Sequence, residues 1–374
     1  MKGLVIWSQS ACRSTMGLYR ALGKVLGIPV VVPVWFYKRT KDYVDNRNAV
    51  GFCDDEFADM ETIPVGENYE VGLEVLDSHR GWNHLCCNSQ WSPNFRKLQL
   101  EAVARKEKTA VGMESPCNMF FGVKRVLKEI YYRSALPWKM RNVIKSSAFF
   151  VNYSGNDDRN ARVIGWPKEK IIPFGYFPPP IPETSVCRRE NNSPFEILVT
   201  GEHTWHRGAD VVVQALAKLK GMGVSYHATI TQNGPMRKSN EAFARCHDLP
   251  VDFTGRMPMD NLRKAYETCS VFVGAGRAEP WGMRLNDALN CGAPLIVSTG
   301  MGGVKMVEDY GCGLSFENGK VNDLAEKLYR LATDTSLYAK CAECAVSAAD
   351  KCAPENKARE LVGQIQERFP SWLS

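Results

Sequence analysis

Two carboxylates, Glu279 and Asp287, are separated by seven residues within a stretch at positions 271–297 that reads VFVGAGRAEPWGMRLNDALNCGAPLIV. Glu279 precedes a predicted helix, and Asp287 lies two turns inside it. The peptide N–H groups of residues 282–284 are at the start of that helix, where they have no intrahelical acceptor and the helix dipole is positive. A helix start of this kind binds anions such as phosphate, whereas carboxylates accept hydrogen bonds from vicinal hydroxyls. The pattern therefore indicates a ligand that contains both phosphate and sugar.

A strand, a loop, a helix and a second strand position these two acids. Val271–Val273 is a short apolar run of the kind found in buried strands, and the glycines of the following AGRAEP segment indicate a loop. Pro280 suits the first turn of a helix over Trp281–Cys291, and the next strand is Leu295–Val297. In such a parallel unit the loop lies at the carboxyl edge of the sheet, which is where open α/β folds bind their ligands.

The segment EPWGMRLNDALNCGAPLIV resembles the Glu–seven residues–Glu element of retaining glycosyltransferases of the GT-B fold, the family four group. In that family the pattern is close to E-P-F-G-L-x-x-x-E-A-x-A-x-G-x-P-V-I. The second acid of this chain, Asp287, is one methylene shorter than the glutamate of the pattern. The alternative is an ordinary αβ unit with a chance pair of acids, but the following residues all fall in register with the family: Glu279, Pro280, Gly282, Ala288, Gly292 and Pro294.

The resemblance implies an α/β fold with two Rossmann-like domains that face each other across a cleft. It assigns residues 1–182 to an N-terminal acceptor domain and residues 183–352 to a C-terminal domain that binds the nucleotide-sugar donor. Residues 353–374 would form a C-terminal helix that returns to the first domain. The proline-rich segment FPPPIP at residues 177–182 suits a stiff linker between the domains. The likeness is clearest over residues 195–317.

The activity that the resemblance implies is transfer of a hexosyl group from a nucleotide-sugar to an acceptor hydroxyl, with retention at the anomeric carbon. The acceptor would be a saccharide or a lipid-linked molecule, as in the assembly of cell-surface polysaccharides or glycolipids. No DxD motif of the metal-dependent type stands out in the sequence, so neither a metal nor a cofactor besides the donor is expected. Arginine side chains and a helix start would then stabilise the leaving diphosphate.

The resemblance also assigns roles to individual residues. Glu279 would be catalytic and hold sugar hydroxyls beside the anomeric centre. Glu114 follows a predicted strand at Thr109–Met113, stands where the family often has a histidine near the reacting centre, and is the second predicted catalytic residue. Glu202 stands where the family has the first of two phosphate-binding cations. Arg207 matches the second cation and is a predicted donor-binding residue. The other predicted donor-binding residues fall into three groups: Gly255 and Arg256 beside the base; Gly282, Met283, Arg284 and Leu285 at the helix start; and Asp287 at the ribose.

Two other functions remain compatible with these residues. A nucleotide-sugar epimerase shares the two-domain architecture, and it would need several acid/base groups in the cleft but no acceptor. A non-catalytic nucleotide-sugar-binding protein would tolerate the departures from the family at Glu114, Glu202 and Asp287. Incubation with labelled nucleotide-sugars separates these alternatives, because only a transferase releases nucleoside diphosphate in an acceptor-dependent reaction.

Residues 122–145 are basic and are interleaved with aromatic side chains. Basic amphipathic helices lie on anionic lipid, but a basic helix can equally pack on a sheet with its charged face in solvent. Peripheral contact with an anionic membrane, as in a lipid-surface scaffold, and a solvated face therefore both stay open. Nucleic acid fits poorly, because no nucleic-acid-binding motif accompanies the charge. Pro137 is predicted to divide two helices, and the basic residues are Lys124, Arg125, Lys128, Arg133, Lys139, Arg141 and Lys145, against one acid, Glu129.

Composition limits the class of protein. A chain of 374 residues suggests two domains, and 44% hydrophobic with 24% charged residues is ordinary for a globular protein. No run of eighteen apolar residues occurs, and the start MKGLVIWSQSACRS is typical of a first strand rather than of a signal peptide. Thirteen cysteines at scattered spacings predict free thiols in a reducing cytoplasm, so the chain is expected there, either in solution or peripherally on the membrane.

Overall fold

The computed structural model describes residues 1–35, 57, 59–66, 68–87, 92–117, 119–120, 122–155, 158–181, 184–187 and 193–374. Two compact units make up the chain: Met1–Pro179 joined by Ala353–Ser374, and Pro180–Cys352. Each unit is built on one parallel sheet with helices, so the predicted α/β class with two Rossmann-like domains is confirmed. The units divide after Pro179, whereas the sequence analysis places the boundary after residue 182.

The first unit is organised around a seven-stranded parallel sheet within its described residues. The strands are β1 (Leu4–Trp7), β2 (Val30–Val34), β3 (Glu61–Pro64), β4 (Asn83–Cys87), β5 (Thr109–Met113), β6 (Phe150–Asn152) and β7 (Ile171–Pro173). The helices are α1 (Arg13–Leu26), α2 (Tyr69–Ser78), α3 (Pro93–Ala104), α4 (Val123–Arg133), α5 (Ala135–Ser146) and α6 (Arg159–Val163). The strand order is β3-β2-β1-β4-β5-β6-β7, which reverses between β1 and β4. Open sheets bind ligands at the carboxyl edge beside such a switch point.

Local sequence signals explain where several of these elements begin and end. β1 is buried along its whole length, as expected for an apolar strand that is covered on both faces. α1 ends at Gly27, whose φ of 64° lies in the left-handed region that glycine adopts most easily. The side chain of Asn68 caps α2 by accepting from the N–H groups of Glu70 and Val71, and Ser92 caps α3 in the same way.

One boundary in this unit differs from the prediction, and two elements were not predicted. The division within residues 122–145 falls at Ser134, between α4 and α5, and not at Pro137. Pro137 lies in the first turn of α5, where its missing N–H costs no intrahelical hydrogen bond. The polar segment at residues 37–83 has no clear apolar periodicity, yet its described part contains β3 and α2.

The second unit is organised around a six-stranded parallel sheet within its described residues. Its strands are β8 (Phe195–Val199), β9 (Tyr226–Thr231), β10 (Val251–Gly255), β11 (Val271–Gly274), β12 (Leu295–Ser298) and β13 (Gly313–Phe316). Its helices are α7 (Ala209–Gly221), α8 (Arg237–Cys246), α9 (Met259–Thr268), α10 (Arg284–Asn290), α11 (Val304–Tyr310), α12 (Val321–Thr333) and α13 (Thr335–Lys351). The strand order is β10-β9-β8-β11-β12-β13, with β8 beside β11 at the point where the order reverses. The predicted strands at Val271–Val273 and Leu295–Val297 are confirmed as β11 and β12.

The core of the second unit lies between its sheet and two helices. Val212, Leu216 and Leu219 recur at helical spacing on α7, and all three side chains are fully buried. Leu324 and Leu328 do the same on α12, which packs against α7. Burial of each leucine side chain contributes about 2–3 kcal/mol, so these helices hold the sheet rigidly beneath its loops.

The last two helices return to the first unit. They are α14 (Pro354–Arg368) and α15 (Pro370–Leu373). α14 packs against α1, and the buried Trp372 ring of α15 lies 5.0 Å from the ring of Phe149. The predicted return of the C-terminal helix to the first domain is therefore confirmed.

The described ranges contain free thiols, and they hold neither a membrane-spanning helix nor a cluster of metal ligands. Twelve of the thirteen cysteines lie in these ranges and all twelve are free thiols, which confirms the prediction for them. No helix in this part of the chain is both long and apolar enough to cross a membrane. No group of three or more His, Cys, Asp or Glu residues among the same residues is arranged to hold a metal ion.

Candidate functional site

Loops at the carboxyl edge of the second sheet carry the predicted donor-binding residues. All pairings among the described strands of this sheet are parallel, so the segments that follow β8, β10 and β11 lie at the same edge. The segment after β8 carries Arg207, and the loop after β11 carries Glu279. The structure brings these two residues and Arg284 together. Gly255 instead ends the outer strand of the sheet, β10, and Arg256 follows it.

Glu279 is the centre of a group of charges. Its side chain is only 12% exposed, and the carboxylate accepts a hydrogen bond from Arg207 Nη1. Arg284 Nη2 lies 3.7 Å from the same oxygen, Oε1. The backbone of Glu279 is held by a neighbouring loop, because its N–H donates to the Gly300 carbonyl and its carbonyl accepts from the Gly302 N–H, both at 3.1 Å. Two guanidinium groups therefore converge on one firmly positioned carboxylate.

A single 3-10 turn, Trp205–Arg207, presents Arg207 to the site. Gly208 follows the turn with φ 74°, and a Cβ at that position would lie 2.0 Å from the carbonyl oxygen of Ala275. Only glycine lets the turn approach the loop after β11 so closely. This approach brings Arg207, on the segment after β8, to Glu279, on the segment after β11.

Arg277 joins the same two segments, and the sequence analysis does not identify it. Its guanidinium donates to both oxygens of Asp210, at 2.8 and 2.6 Å, and to the Trp205 carbonyl at 2.7 Å. Its backbone N–H donates to the His206 carbonyl at 2.8 Å. A two-point arginine–carboxylate pair is strong and fixes geometry, and here the two side chains are only 16% and 19% exposed. The partners are 67 positions apart, so no local signal links them.

Arg284 lies against the end of β8. A Cβ on Gly201 would lie 3.1 Å from the guanidinium carbon of Arg284, so the guanidinium touches the backbone that precedes Glu202. Burial lowers the pKa of Arg284, and three neighbouring groups, among them Asp287 and Glu202, oppose this shift. The position at which the family has its first cation thus carries an exposed acid, Glu202, with the Arg284 guanidinium close by.

The helix after Glu279 begins later than predicted. It starts at the first residue of α10 and not at Trp281, because Gly282 has φ 98°, outside the helical range. The Trp281 ring is buried, and its Nε1 donates to Asn286 Oδ1 at 2.8 Å, which ties the loop to the helix. Pro280 therefore lies in the loop rather than in a first helical turn, and Met283, just before the helix, is 44% exposed.

Leu285 is a core residue, and the donor contact that the resemblance implies for it stays a prediction. Its side chain is fully buried, and its N–H donates to the Gly282 carbonyl at 2.9 Å. A Cβ on Gly274 or on Gly303 would lie 2.8 or 2.5 Å from Leu285 side-chain atoms, so these glycines make room for it. Leu285 therefore fixes α10 against the sheet, whereas Met283 is exposed and Arg284 is half-buried.

Asp287 lies about one turn beyond Arg284 on α10 and is half-buried. Burial raises the pKa of Tyr266, and the charge of Asp287 adds to that effect. The Tyr266 hydroxyl in turn lies 3.2 Å from Thr200 Oγ1, directly after β8. Asp287 therefore belongs to the same group of interacting residues as Arg284.

Gly255 and Arg256 lie at the carboxyl end of β10. Gly255 has φ 68°, and a Cβ there would lie 2.8 Å from Nη1 of Arg237. That guanidinium also donates to Asn233 Oδ1 and to the Phe253 carbonyl. Arg256 is exposed. β9 separates these residues from β8, so they border the sheet edge rather than the charge group around Glu279.

The two histidines after β8 have different surroundings. His203 is fully buried, with Nδ1 3.0 Å from Asn240 Nδ2, and burial lowers its pKa. His203 is therefore structural. His206 is half-buried, and its pKa is lowered by burial and by the charge of Arg207, while Glu202 acts in the opposite sense. His206 thus belongs to the charge group.

Glu114 follows β5 at the carboxyl edge of the first sheet and is half-buried. Burial raises the pKa of Tyr176, and the charge of Glu114 is the next largest cause. The next residue along, Ser115, donates from Oγ to Asn152 Oδ1 at 2.9 Å, which holds this strand end to that of β6. The ring of Tyr176 lies 5.0 Å from that of Tyr153. Within the first unit, Glu114 is therefore part of a polar and aromatic group at the sheet edge.

Part of the chain matches a known protein family. Residues 182–347 match the family described as glycosyl transferases group 1. A curated relative, probable sucrose-phosphate synthase 4 of Oryza sativa subsp. japonica, is 29% identical over 116 residues, which are 30% of this chain and 11% of that protein. The chain therefore matches only a small part of that relative's length.

Solved structures match over nearly the whole chain. Anabaena HepE in complex with UDP has a TM-score of 0.66 at 13% identity, covering 98% of this chain and 100% of that one. The lipopolysaccharide outer core galactosyltransferase WaaB has a TM-score of 0.67 at 12% identity, with the same coverage. At such identities the likeness concerns the fold. The chain therefore has the GT-B fold, and its residues 182–347 match the glycosyl transferases group 1 family.

Proposed function

We propose that this chain transfers a hexosyl group from a nucleotide-sugar to an acceptor hydroxyl, with retention at the anomeric carbon, in the assembly of a cell-surface polysaccharide or glycolipid. The observation that carries the proposal is the convergence of Arg207 and Arg284 on Glu279, at the carboxyl edge of the family domain. Two cations suit a diphosphate, and a carboxylate beside them suits the hydroxyls of the attached sugar.

The arginines bind the donor by exchanging partners. Without a donor, Arg207 and Arg284 share one Glu279 oxygen, which neutralises part of their charge. A diphosphate offers both guanidiniums more negative charge and more acceptor oxygens than that carboxylate does. The carboxylate of Glu279 then becomes available to sugar hydroxyls. In this proposal Arg284 takes the role of the family cation that Glu202 replaces.

The transfer step conserves atoms and charge. The bond between the anomeric carbon and the phosphate oxygen breaks, and the acceptor oxygen bonds to the anomeric carbon on the same face. The acceptor proton passes to the leaving phosphate oxygen. Arg207 and Arg284 stabilise the negative charge of the leaving group, while Glu279 stabilises the positive charge that develops on the sugar. Because two guanidiniums supply this charge, we expect transfer to continue in the presence of EDTA.

The remaining predicted residues also have roles in the proposal. Asp287 accepts hydrogen bonds from the ribose hydroxyls, and Gly255 with Arg256 borders the base. Glu114, in the first unit, serves the acceptor, which we take to be a saccharide or a lipid-linked molecule. Anabaena HepE has been crystallised with UDP and with UDP-glucose, which makes UDP-sugars the first donors to test. The free thiols of the described residues support a reducing, cytoplasmic setting.

A donor panel tests the proposed function. Labelled UDP-, GDP- and dTDP-sugars are each incubated with the chain, with and without saccharide and lipid-linked acceptors. Acceptor-dependent release of nucleoside diphosphate, with the anomeric configuration of the donor kept in the product by NMR, is the expected result. Change of the sugar without an acceptor would instead indicate an epimerase. Tight binding without turnover would indicate a binding protein.

A further inference from the structure

Helix α4 exposes a row of large aliphatic side chains to solvent. Val123 is 75% exposed, Val126 59%, Leu127 62% and Ile130 57%. The spacing i, i+3, i+4, i+7 places these four residues on one face of the helix. Exposed apolar residues are ordinarily scattered singly over a protein surface, so a continuous row of four marks an interaction surface.

The row points away from the body of the first unit. Tyr132 is the one buried residue among the described side chains of α4, and it packs in the core cluster with Leu136 and Met140. At about 100° per residue, Tyr132 lies on the opposite side of the helix from the centre of the row. The next helix, α5, behaves differently, because its aliphatic residues Leu136, Met140, Val143 and Ile144 are buried in that core. α4 is therefore attached by its polar-aromatic side and presents its apolar side outward.

Cations lie on both sides of this row, because Lys124 and Arg133 of α4 fall next to it at about 100° per residue. The ammonium of Lys128 lies 5.2 Å from the centre of the Tyr131 ring, and that of Lys139 lies 5.2 Å from the same ring. Arg141 lies 5.2 Å from the ring of Trp138, an indole that is 64% exposed on α5. The single acid of residues 122–145, Glu129, is paired with Arg133 at 2.8 Å. The surface thus combines an apolar ridge with positive flanks.

We propose that α4, together with Trp138, docks the chain on an anionic lipid surface. An apolar ridge enters the boundary between headgroups and acyl chains, while long Lys and Arg side chains reach back to anionic headgroups. The exposed row is what favours this over the solvated basic face that the sequence leaves open. A second copy of the chain is a poorer occupant, because a two-fold contact would bring the same cations against each other. The inference stands independently of the proposed transferase activity.

Vesicle sedimentation of the full-length chain tests this inference. Wild-type protein is mixed with vesicles of phosphatidylcholine alone, or of phosphatidylcholine with phosphatidylserine, at low and high salt. We expect binding only to the phosphatidylserine vesicles, and weaker binding at high salt. K124Q/R133Q should weaken it about 25-fold, since each cation near the surface contributes about a fivefold effect. L127S/I130S should weaken it about tenfold or more.

Matched controls lie on the second unit. K218Q/K340Q removes two exposed lysines, and M222S removes an exposed apolar side chain. Both should bind vesicles like the wild type. Thermal melting and nucleoside diphosphate binding of all variants should be unchanged, because every substituted side chain is exposed or partly exposed. If one of the α4 variants fails to fold, the other carries the test.

Three outcomes would overturn the proposal. The first would be that the wild type fails to bind phosphatidylserine vesicles at low salt. The second would be that the α4 variants bind these vesicles as well as the control variants do. The third is a wild-type dimer in sedimentation velocity that L127S/I130S dissociates, without vesicle binding by either protein. That result would assign the row to contact between copies of the chain.

Discussion

Arg284 and Arg207 should share the binding of the donor diphosphate. Both guanidiniums meet the same Glu279 oxygen, and Arg284 also lies against Gly201, beside the acid that replaces the family's first cation. Replacement of each arginine by methionine keeps much of the length of the side chain but removes the charge. The informative set is R207M, R284M, the double variant, and the double variant with E279Q.

The magnitude follows from burial and charge. A hydrogen bond to a charged group contributes about 1.5–3 kcal/mol. The two arginine side chains are 28% and 29% exposed, so the lower part of that range applies. Each single variant should then weaken nucleoside diphosphate binding about 10–30-fold. The double variant should lose more affinity than the product of the two single losses, because the Glu279 carboxylate would then face the diphosphate with neither cation between them.

Isothermal titration calorimetry with the nucleoside diphosphate measures these effects. The nucleotide to use is the one of UDP, GDP and dTDP that raises the melting temperature of the wild type most. Adding E279Q to the double variant should recover about tenfold or more in affinity, because it removes the unpaired carboxylate. R245M, which removes an exposed arginine of α8, is the control and should leave the affinity unchanged.

The result for R284M decides whether the reasoning holds. If R207M weakens binding as expected and R284M changes it less than about twofold, then Arg284 does not face the phosphates. E202R offers an independent check, since a cation at the family position should tighten binding if the phosphates lie there. Weaker binding by E202R would contradict the placement of the diphosphate beside Gly201.

Four other outcomes are expected. Glu279→Gln should lower turnover by about two to three powers of ten, or about 3–4 kcal/mol, without weakening nucleoside diphosphate binding; turnover equal to that of the wild type would remove Glu279 from the active site. Asp287→Asn should weaken ribonucleotides about fivefold more than their 2′-deoxy analogues in calorimetry, because only ribose offers the diol, and equal losses would argue against that contact. Arg277→Met breaks the pair with Asp210 and displaces the turn that carries Arg207, so it should raise the dissociation constant of the nucleoside diphosphate about tenfold. Asp210→Asn should have the same effect. Unchanged affinity in both variants would contradict the positioning role of this pair. Burial lowers the pKa of His84 to about 4 in the native state. In the unfolded chain this histidine takes up a proton near pH 6.5, whereas in the native state it stays neutral until the pH is much lower. The stability that the neutral His84 ring confers is complete above about pH 6.5 and is lost as the pH falls toward 4. The free energy of unfolding in urea should therefore be about 2 kcal/mol lower at pH 5 than at pH 7, after subtraction of the same difference in a His84→Gln variant.

The sequence by itself was sufficient for the elements that depend on local chemistry. Apolar runs predicted β11 and β12, because a strand that is buried on both faces must be apolar throughout. The register of Glu279 with the family pattern predicted the family that residues 182–347 match and, with it, the GT-B fold. The position of Arg207 before Gly208 also follows from that pattern, and the structure brings Arg207 to Glu279.

Helix boundaries near glycine were less predictable. Helical spacing continues back to Trp281, yet α10 begins only after Gly282, whose φ is 98°. Periodicity reports which side chains share a face, whereas the backbone angle of a glycine depends on what packs around it. Here the tightly packed neighbour is Met301, because a Cβ on Gly282 would lie 2.4 Å from its Cε.

Contacts between distant segments were decided only by the tertiary structure. The pairing of Arg277 with Asp210 and the placement of Arg284 against Gly201 join loops that follow different strands. Both are set by the strand order, which puts β8 beside β11, and no spacing in the sequence specifies that order. The outward direction of the apolar row on α4 was undetermined for the same reason. An amphipathic pattern shows that a helix has an apolar face, but only the packing of Tyr132 into the core shows which way that face points.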